Sequence, residues 1–243
     1  MRYWVVMAAA GTGRRFGGTL PKQHWVLGDS TVLQVALQVF VADSRCVAIA
    51  VALSAAALAD TQLRDSLDAK VLPVAGGAER ADSVLCGLAA LAERDQETAQ
   101  ETAQETDWVL VHDAARPCLS AADLDRLLAA GAANPVGALL AAPVTDTLKS
   151  AGDASCCERT VDRAALWRAL TPQMFRFGAL RAALHAAQAA GRTPSDEAQA
   201  MEWQGARPLL VAAADSNIKI TNREDLAVAA AIIAARQVAG DGS

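Results

Sequence analysis

A loop rich in glycine and cations follows the first apolar run of the sequence, at residues 3–8. Gly11 and Gly13 carry no Cβ, so phosphate oxygens can approach the backbone N–H groups of this loop closely. Arg15 and Lys22 place positive charge in the same segment. Glycines and cations at the end of a strand predict a binding loop for phosphate groups; a tight turn with exposed arginines is the purely structural alternative.

Two common phosphate-binding motifs do not fit this loop. A P-loop needs a lysine directly after its last glycine, and no lysine follows Gly17 and Gly18. The dinucleotide-binding fingerprint needs a third glycine at position 16, where the chain has Phe16. Both motifs are therefore excluded for this segment.

One carboxylate, Asp113, stands at the end of a later apolar run. Mg²⁺ prefers one or two carboxylates together with the phosphate oxygens of a substrate, so Asp113 is the first candidate for holding this ion. Asp215 is a second candidate, and a helix-capping role suits it nearly as well. The neighbouring His112 is interpreted as a packed histidine and not as a catalyst.

These residues depend on strands and helices that alternate along most of the chain. Short apolar runs predict strands at residues 3–8, 47–53, 71–74, 108–112 and 136–142. Apolar residues at helical spacing lie between them, over residues 32–40, 84–91 and 124–128. This order predicts one α/β domain with a mainly parallel, Rossmann-like sheet and helices on both faces. Ligands of such sheets bind beyond the carboxyl ends of the strands, so the site is expected in the loops that follow them.

Two segments interrupt this order. Residues 96–106 repeat the tetrapeptide Gln-Glu-Thr-Ala, whose glutamates would repel one another on a helix; we expect a frayed or disordered surface insertion without chemistry. Residues 144–172 contain strand-like pieces and little helical periodicity, which predicts a β-arm projecting from the sheet. A helix over residues 180–190, a strand over 209–212 and a helix from 224 to about 238 complete the single domain, residues 1–243.

Composition limits the classes to which the protein can belong. Its 243 residues are 53% hydrophobic and carry a formal net charge of −5, so the chain can bury a core and has no basic field to hold nucleic acid. No apolar run approaches the roughly 18 residues that span a bilayer, and no membrane association is expected. The five cysteines contain no Cys-x-x-Cys pair, which suits a reducing compartment and predicts a cytoplasmic protein.

Five groups of motifs occur in one order and together resemble a known enzyme family. They are AAAGTGRR with PK (residues 8–15 and 21–22), GGAERADSV (76–84), HDAARP (112–117), TVDR with LW and TPQ (160–163, 166–167 and 171–173) and NIKIT (217–221). Over essentially the whole chain they resemble the 2-C-methyl-D-erythritol 4-phosphate cytidylyltransferases. The resemblance implies transfer of a cytidylyl group from CTP to methylerythritol phosphate, with release of pyrophosphate, in the non-mevalonate pathway to isoprenoid precursors.

The resemblance also implies which residues bind the nucleotide. Arg15 and Lys22 match positions that hold the triphosphate and the developing pyrophosphate, and Lys219 matches one that reaches the α-phosphate. The other nucleotide-binding positions, which read the base or lie beside the ribose, are Ala8, Ala9, Ala10, Gly11, Gly13, Gly77, Ser83 and Ala114. Ser83 is also explained as the start of a helix, since it precedes an apolar stripe.

A second group matches the polyol-phosphate pocket of the family. Its members are Asp113, Arg116, Thr147, Arg163, Thr171, Ser195 and Asp196. In the family Thr147 and Arg163 belong to the arm and reach into the partner's site, so the resemblance implies a homodimer. It also implies Mg²⁺ or another divalent cation, and Trp167 is interpreted as a packing anchor beneath the arm.

Two other functions stay open at this point. Ribitol-5-phosphate cytidylyltransferases share the glycine loop and the Asn-Ile-Lys motif, but they usually have Ala-Gly-Gly in the first loop, and their arm lacks the pattern of Arg163 and Trp167. The other alternative is a nucleotide-binding regulatory protein that has lost turnover. The presence of four residues argues against it: Arg15, Lys22, Asp113 and Lys219.

Overall fold

A computed structural model describes residues 1–11, 21–94 and 101–238. In chain order the strands are β1 (Tyr3–Ala9), β2 (Val26–Leu27), β3 (Ser30–Thr31), β4 (Cys46–Leu53), β5 (Val71–Ala75), β6 (Trp108–Asp113), β7 (Gly137–Pro143), β8 (Leu148–Ala151), β9 (Cys157–Val161), β10 (Trp167–Arg176) and β11 (Leu209–Ala212). The helices are α1 (Val32–Val41), α2 (Ala55–Ala59), α3 (Thr61–Asp65), α4 (Arg80–Ala92), α5 (Ala121–Ala133), α6 (Phe177–Ala189), α7 (Glu197–Glu202) and α8 (Glu224–Val238). Short 3-10 helices lie at Lys22–His24 and Asp153–Ser155.

Among the described strands, seven form a central sheet in the spatial order β11-β7-β10-β6-β1-β4-β5. β1 lies parallel to β4 and β6, β4 lies parallel to β5, and β7 lies parallel to β11. β10 is antiparallel to both of its neighbours, β6 and β7. The predicted α/β fold with a mainly parallel sheet is therefore confirmed.

Helices cover both faces of the sheet, because successive side chains of a strand point to opposite sides. Tyr3, Val5 and Met7 of β1 pack in one apolar cluster with residues of α1 and α5. Trp4 and Val6 pack in a second cluster, with residues of α4 and α6. A strand buried on both sides needs apolar residues at nearly every position, which is why β1 is recognisable in the sequence. No helix in the described part of the chain is long and apolar enough to cross a membrane.

The arm predicted at residues 144–172 is shorter in the structure. β8 and β9 pair antiparallel in a separate two-stranded sheet, with Leu148 opposite Val161. β10 belongs to the central sheet, so the assignment of residues 167–172 to the arm was wrong. Polar Thr171 and Gln173 interrupt the apolar sequence of β10 and concealed a strand whose residues 170–175 are all buried.

Trp167 begins β10 and lies opposite Pro143 of β7. Its side chain is 39% exposed in the single chain. The interpretation of Trp167 as a packing anchor beneath the arm therefore receives no support from this chain alone.

The second half of the Gln-Glu-Thr-Ala repeat packs against the domain. Ala103 is 6% exposed, and its N–H donates to the carbonyl of Leu91 at 3.0 Å. Glu105 forms an ion pair with Arg181, and its carbonyl accepts from the N–H of Gly178 at 3.0 Å. The expectation of a frayed insertion was therefore wrong for residues 101–106, while residues 96–100 lie outside the described part of the chain.

Candidate active site

A cavity of about 940 Å³ lies beyond the carboxyl ends of β1, β5 and β6, where ligands of parallel sheets bind. The predicted site residues that line it are Ala8, Ala9, Ala10, Gly11, Lys22, Gly77, Ser83, Asp113, Ala114 and Lys219. Arg15 and Gly13 were predicted for the same site and lie outside the described residues. The fold thus brings together residues that stand more than 200 positions apart in the chain.

Asp113, the last residue of β6, forms the centre of a charge cluster. Its Oδ2 lies 2.7 Å from Lys219 Nζ, and its Oδ1 accepts from Arg80 Nε at 3.1 Å. Arg116 Nε is 3.8 Å from Oδ2. Burial raises the pKa of Asp113, but the charges of Arg80 and Lys219 outweigh it and hold the pKa well below its usual range. Asp113 is therefore an anion at neutral pH.

Arg80, to which the sequence motif assigned no role, is the first residue of α4 and lines the cavity. Its Nη1 donates to Oε1 of Glu197 at 2.6 Å, and its Nη2 donates to Oε2 at 3.0 Å. Glu197 begins α7 and is 1% exposed. The pair was not predicted from the sequence, because its members stand 117 positions apart. The available signal was that Arg80 and Glu197 each stand close to predicted site residues in the sequence.

The loop between β5 and α4 has no room for a side chain at its first two positions, Gly76 and Gly77. A Cβ on Gly76 would lie 2.3 Å from Ala10 Cβ, and one on Gly77 would lie 2.3 Å from Asp82 Cβ. Ser83 secures the loop, since its Oγ accepts from the N–H of Gly77 and donates to the carbonyl of Glu79, each at 3.1 Å. The two interpretations of Ser83 are thus combined: it lies in the first turn of α4 and also lines the cavity.

Lys22 and Gln23 form hydrogen bonds to two distant parts of the chain, the segment before α8 and the end of β1. Lys22 Nζ donates to the carbonyl of Ile220 at 2.9 Å, directly beside Lys219. Gln23 is 4% exposed, and its Nε2 donates to the carbonyls of Ala9 at 2.7 Å and Gly11 at 3.0 Å. Gln23 also lines the cavity and was not predicted, because nothing in the sequence shows which carbonyls a glutamine reaches.

His112 is fully buried behind the cavity, as the sequence predicted. Its Nε2 lies 3.1 Å from the carbonyl of Arg116, which can only accept, so Nε2 carries the proton. Nδ1 then accepts from the hydroxyl of Thr171 at 2.9 Å. Burial lowers the pKa of His112 to about 4, so the ring is neutral at neutral pH and holds Thr171 in place.

Apart from Asp113, the residues predicted for the second substrate do not line this cavity. Thr171 and Arg116 are buried, and Thr171 Oγ1 accepts from the N–H of Asp113 at 3.1 Å. Asp196 accepts from Gln173 Nε2 at 2.9 Å and caps α7, and the neighbouring Ser195 is exposed.

Thr147 and Arg163 lie beside the hairpin of β8 and β9, and both are exposed. Arg163 donates to the carbonyl of Thr145 within the same arm. Within a single chain the structure therefore does not bring these two residues to the cavity.

Two carboxylates stand among the described residues that line this cavity, those of Asp113 and Glu79. Asp215, the second predicted ligand, does not line the cavity; its side chain is 73% exposed and forms an ion pair with Arg168. Among the described residues there is no group of three or more His, Cys, Asp or Glu side chains that could hold a metal. The donor set fits Mg²⁺, which is commonly held by one or two carboxylates and the phosphates of a substrate.

Comparison with known proteins covers nearly the whole chain. Residues 3–235 match the model of the IspD family, 2-C-methyl-D-erythritol 4-phosphate cytidylyltransferase. This chain belongs to that family. The family member of Acidithiobacillus ferrooxidans is 49% identical over 98% of this chain and 99% of its own length. The member of Pseudomonas putida is 44% identical over 92% of each chain.

Solved structures of the family share the fold. The 2-C-methyl-D-erythritol 4-phosphate cytidylyltransferase of Francisella tularensis superposes with a TM-score of 0.78 at 30% identity, over 96% of this chain and 100% of that chain. A 4-diphosphocytidyl-2C-methyl-D-erythritol synthase superposes with a TM-score of 0.78 at 34% identity, over 96% and 98% of the two chains. The family likeness therefore includes the sheet that positions the cavity.

Proposed function

We propose that this protein transfers a cytidylyl group from CTP to 2-C-methyl-D-erythritol 4-phosphate. The products are 4-diphosphocytidyl-2-C-methyl-D-erythritol and pyrophosphate, and the reaction belongs to isoprenoid precursor biosynthesis. The observation that carries the proposal is the match to the family over residues 3–235. The cavity with Lys22, Asp113 and Lys219 on its wall supports it.

The reaction needs charge neutralisation more than acid-base chemistry. The attacking group is a phosphate monoester, whose second pKa of about 6 makes it mostly a dianion at neutral pH. One of its oxygens forms a bond to the α-phosphorus of CTP, and the bond from that phosphorus to the bridging oxygen of pyrophosphate breaks. Neutral, buried His112 is not required as a base. Positioning and cations then supply the catalysis.

We assign the cations by their place in the cavity wall. Lys219 faces the α-phosphate, and Lys22 holds the triphosphate and the departing pyrophosphate together with Arg15. Both lysines line the cavity. Lys22 Nζ donates to the carbonyl of Ile220, the residue that follows Lys219 in the chain. The base of CTP is read by the backbone of residues 8–11 and Gly77, with Ser83, and Ala114 lies beside the ribose. Gly77 supports this assignment, because it lines the cavity without a side chain and leaves that part of the wall to the backbone.

Mg²⁺ is the divalent cation that we propose for this site, with Asp113 as its protein ligand. The ion neutralises charge on the phosphates when it is bound. Asp113 suits this role because it is ionised and lines the cavity. The exposed position of Asp215 argues against it as a second ligand.

The second substrate and the dimer are proposed together. Arg116, Thr171, Ser195 and Asp196 bind methylerythritol phosphate, and Thr147 and Arg163 complete its pocket from the arm of a partner subunit in a homodimer. The exposure of Thr147 and Arg163 in the single chain supports a role across subunits. We place the enzyme in the cytoplasm, which suits cysteines that are all unpaired.

A pyrophosphate-release assay tests the function. Each of the four nucleoside triphosphates is supplied with Mg²⁺ and either methylerythritol phosphate or ribitol 5-phosphate. We expect release with CTP and methylerythritol phosphate only. Faster release with ribitol 5-phosphate would assign the related cytidylyltransferase, and binding of CTP without any release would identify a regulatory protein. The family match disfavours both outcomes.

A further inference from the structure

A line of alternating charges runs through one wall of the cavity. Glu197 binds Arg80 through two hydrogen bonds of 2.6 and 3.0 Å. Arg80 binds Asp113 at 3.1 Å, and Asp113 binds Lys219 at 2.7 Å. Arg80 thereby donates hydrogen bonds from Nε, Nη1 and Nη2 to two carboxylates.

The four residues come from four different parts of the fold. Arg80 begins α4, Glu197 begins α7 and Asp113 ends β6. Lys219 lies in the segment between β11 and α8. Each contact therefore fixes one element relative to another, and a planar guanidinium does so with more geometric definition than an ammonium, because its fork pairs both oxygens of a carboxylate.

Stability alone is a weak explanation for this arrangement. Glu197 is 1% exposed, and the side chain of Arg80 is 29% exposed. Taking such charges out of water costs about as much as their attraction returns, so an apolar pair would serve the fold equally well. The arrangement leaves one oxygen of Asp113 with Arg80 and turns the other to Lys219, which lines the cavity.

We infer that Arg80 and Glu197 are positioning residues for the transfer reaction. Glu197 holds the guanidinium of Arg80, Arg80 holds Oδ1 of Asp113, and Asp113 holds the ammonium of Lys219 at the place of the α-phosphate. The inference rests on the proposed function. It assigns Arg80 a role through Asp113 and not through substrate, since three of its five N–H groups, one each on Nε, Nη1 and Nη2, donate to protein carboxylates.

The test compares Arg80→Lys with a matched variant elsewhere. Arg80→Lys keeps the positive charge and removes the planar guanidinium that pairs both carboxylate oxygens of Glu197. We expect kcat to fall by about 10- to 100-fold, since small displacements of a catalytic group have effects of this size, while the KM for CTP changes by less than about threefold. Arg45 also joins two carboxylates, Asp43 and Asp125, and it precedes the amino end of β4, whereas the cavity lies beyond the carboxyl ends of the strands. Arg45→Lys should leave kcat within about twofold of the wild type.

Glu197→Gln keeps the shape of the side chain and removes its charge, so it remains informative if Arg80→Lys does not fold. We expect a fall in kcat of about 10-fold. The double variant should be no slower than the slower single variant, because both changes break one line of contacts. Independent effects that multiply would overturn the inference.

A crystal structure of either folded variant supplies a readout that a purely structural role would not move. We expect Lys219 Nζ to leave its 2.7 Å contact with Asp113. An unchanged contact with lowered kcat, or an unchanged kcat in both variants, would show that Arg80 does not act through Asp113. A wild-type protein without cytidylyltransferase activity would instead refute the proposed function, so the two failures are distinguishable.

Discussion

At the scale of single residues, the site is a balance of opposite charges around one carboxylate. Arg80 and Lys219 keep Asp113 ionised although it is buried. Lys22 lies at the other end of the chain from Lys219, and its bond to the carbonyl of Ile220 sets the two ammonium groups on one wall. Two cations in that place suit a substrate that carries several negative charges.

We predict that Lys22→Ala lowers kcat by about 10²- to 10³-fold, which corresponds to about 2.7–4 kcal/mol of lost transition-state stabilisation. Steady-state pyrophosphate release measures the effect. Lys70→Ala is the matched control, because Lys70 Nζ also donates to main-chain carbonyls, those of Val41 and Asp43, at 2.8 and 2.9 Å. The control should keep normal turnover, and more than half of wild-type turnover in Lys22→Ala would make Lys22 a surface charge.

At the scale of elements, two helices begin beside the site, and the segment of residues 101–106, expected to be a frayed insertion, packs against the domain. α4 begins with Arg80 and carries Ser83 in its first turn, and α7 begins with Glu197. Residues 101–106 belong to the connection between α4 and β6. Ala103 packs in the same apolar cluster as Leu88 and Leu91 of α4. This half of the repeat therefore contributes to the stability of the layer that carries the site.

We predict that Ala103→Glu lowers the free energy of unfolding by about 1–3 kcal/mol, because the new side chain would lose hydration without gaining a partner. Denaturation by urea measures the change. Thr106→Glu places the same side chain at an exposed position three residues later and should change the free energy of unfolding by less than about 0.5 kcal/mol. Equal effects of the two substitutions would mean that Ala103 does not support α4.

At the scale of the whole molecule, one chain holds the nucleotide cavity but leaves Thr147 and Arg163 exposed on a separate arm. The homodimer that we propose would bring these two residues to the cavity of a partner subunit. Arginine suits the binding of a substrate phosphate, because its planar fork pairs two phosphate oxygens.

We predict that Arg163→Ala raises the KM for methylerythritol phosphate strongly and affects CTP binding much less. Mixing Arg163→Ala chains with Lys22→Ala chains should restore part of the activity, since a mixed dimer contains one site with both residues intact. Mass spectrometry of the mixture verifies that subunits exchange. If exchange occurs and no activity returns, Arg163 acts within its own chain or only in folding.

Local patterns in the sequence were sufficient for much of this protein. β1 and β4 were predicted within one residue of their bounds, because a strand buried on both faces needs a continuous apolar run. Lys22, Gly77, Asp113 and Lys219 were predicted as site residues because they stand in ordered motifs, and all four line one cavity.

Tertiary structure decided the rest, where the deciding partner is distant in the chain. The place of β10 between β6 and β7 depends on pairing across the sheet, which the polar residues Thr171 and Gln173 concealed. The contact of Arg80 with Glu197 spans 117 positions, and no local periodicity records it. A side chain's type sets which bonds it can form, and only the folded chain determines which partner comes within reach.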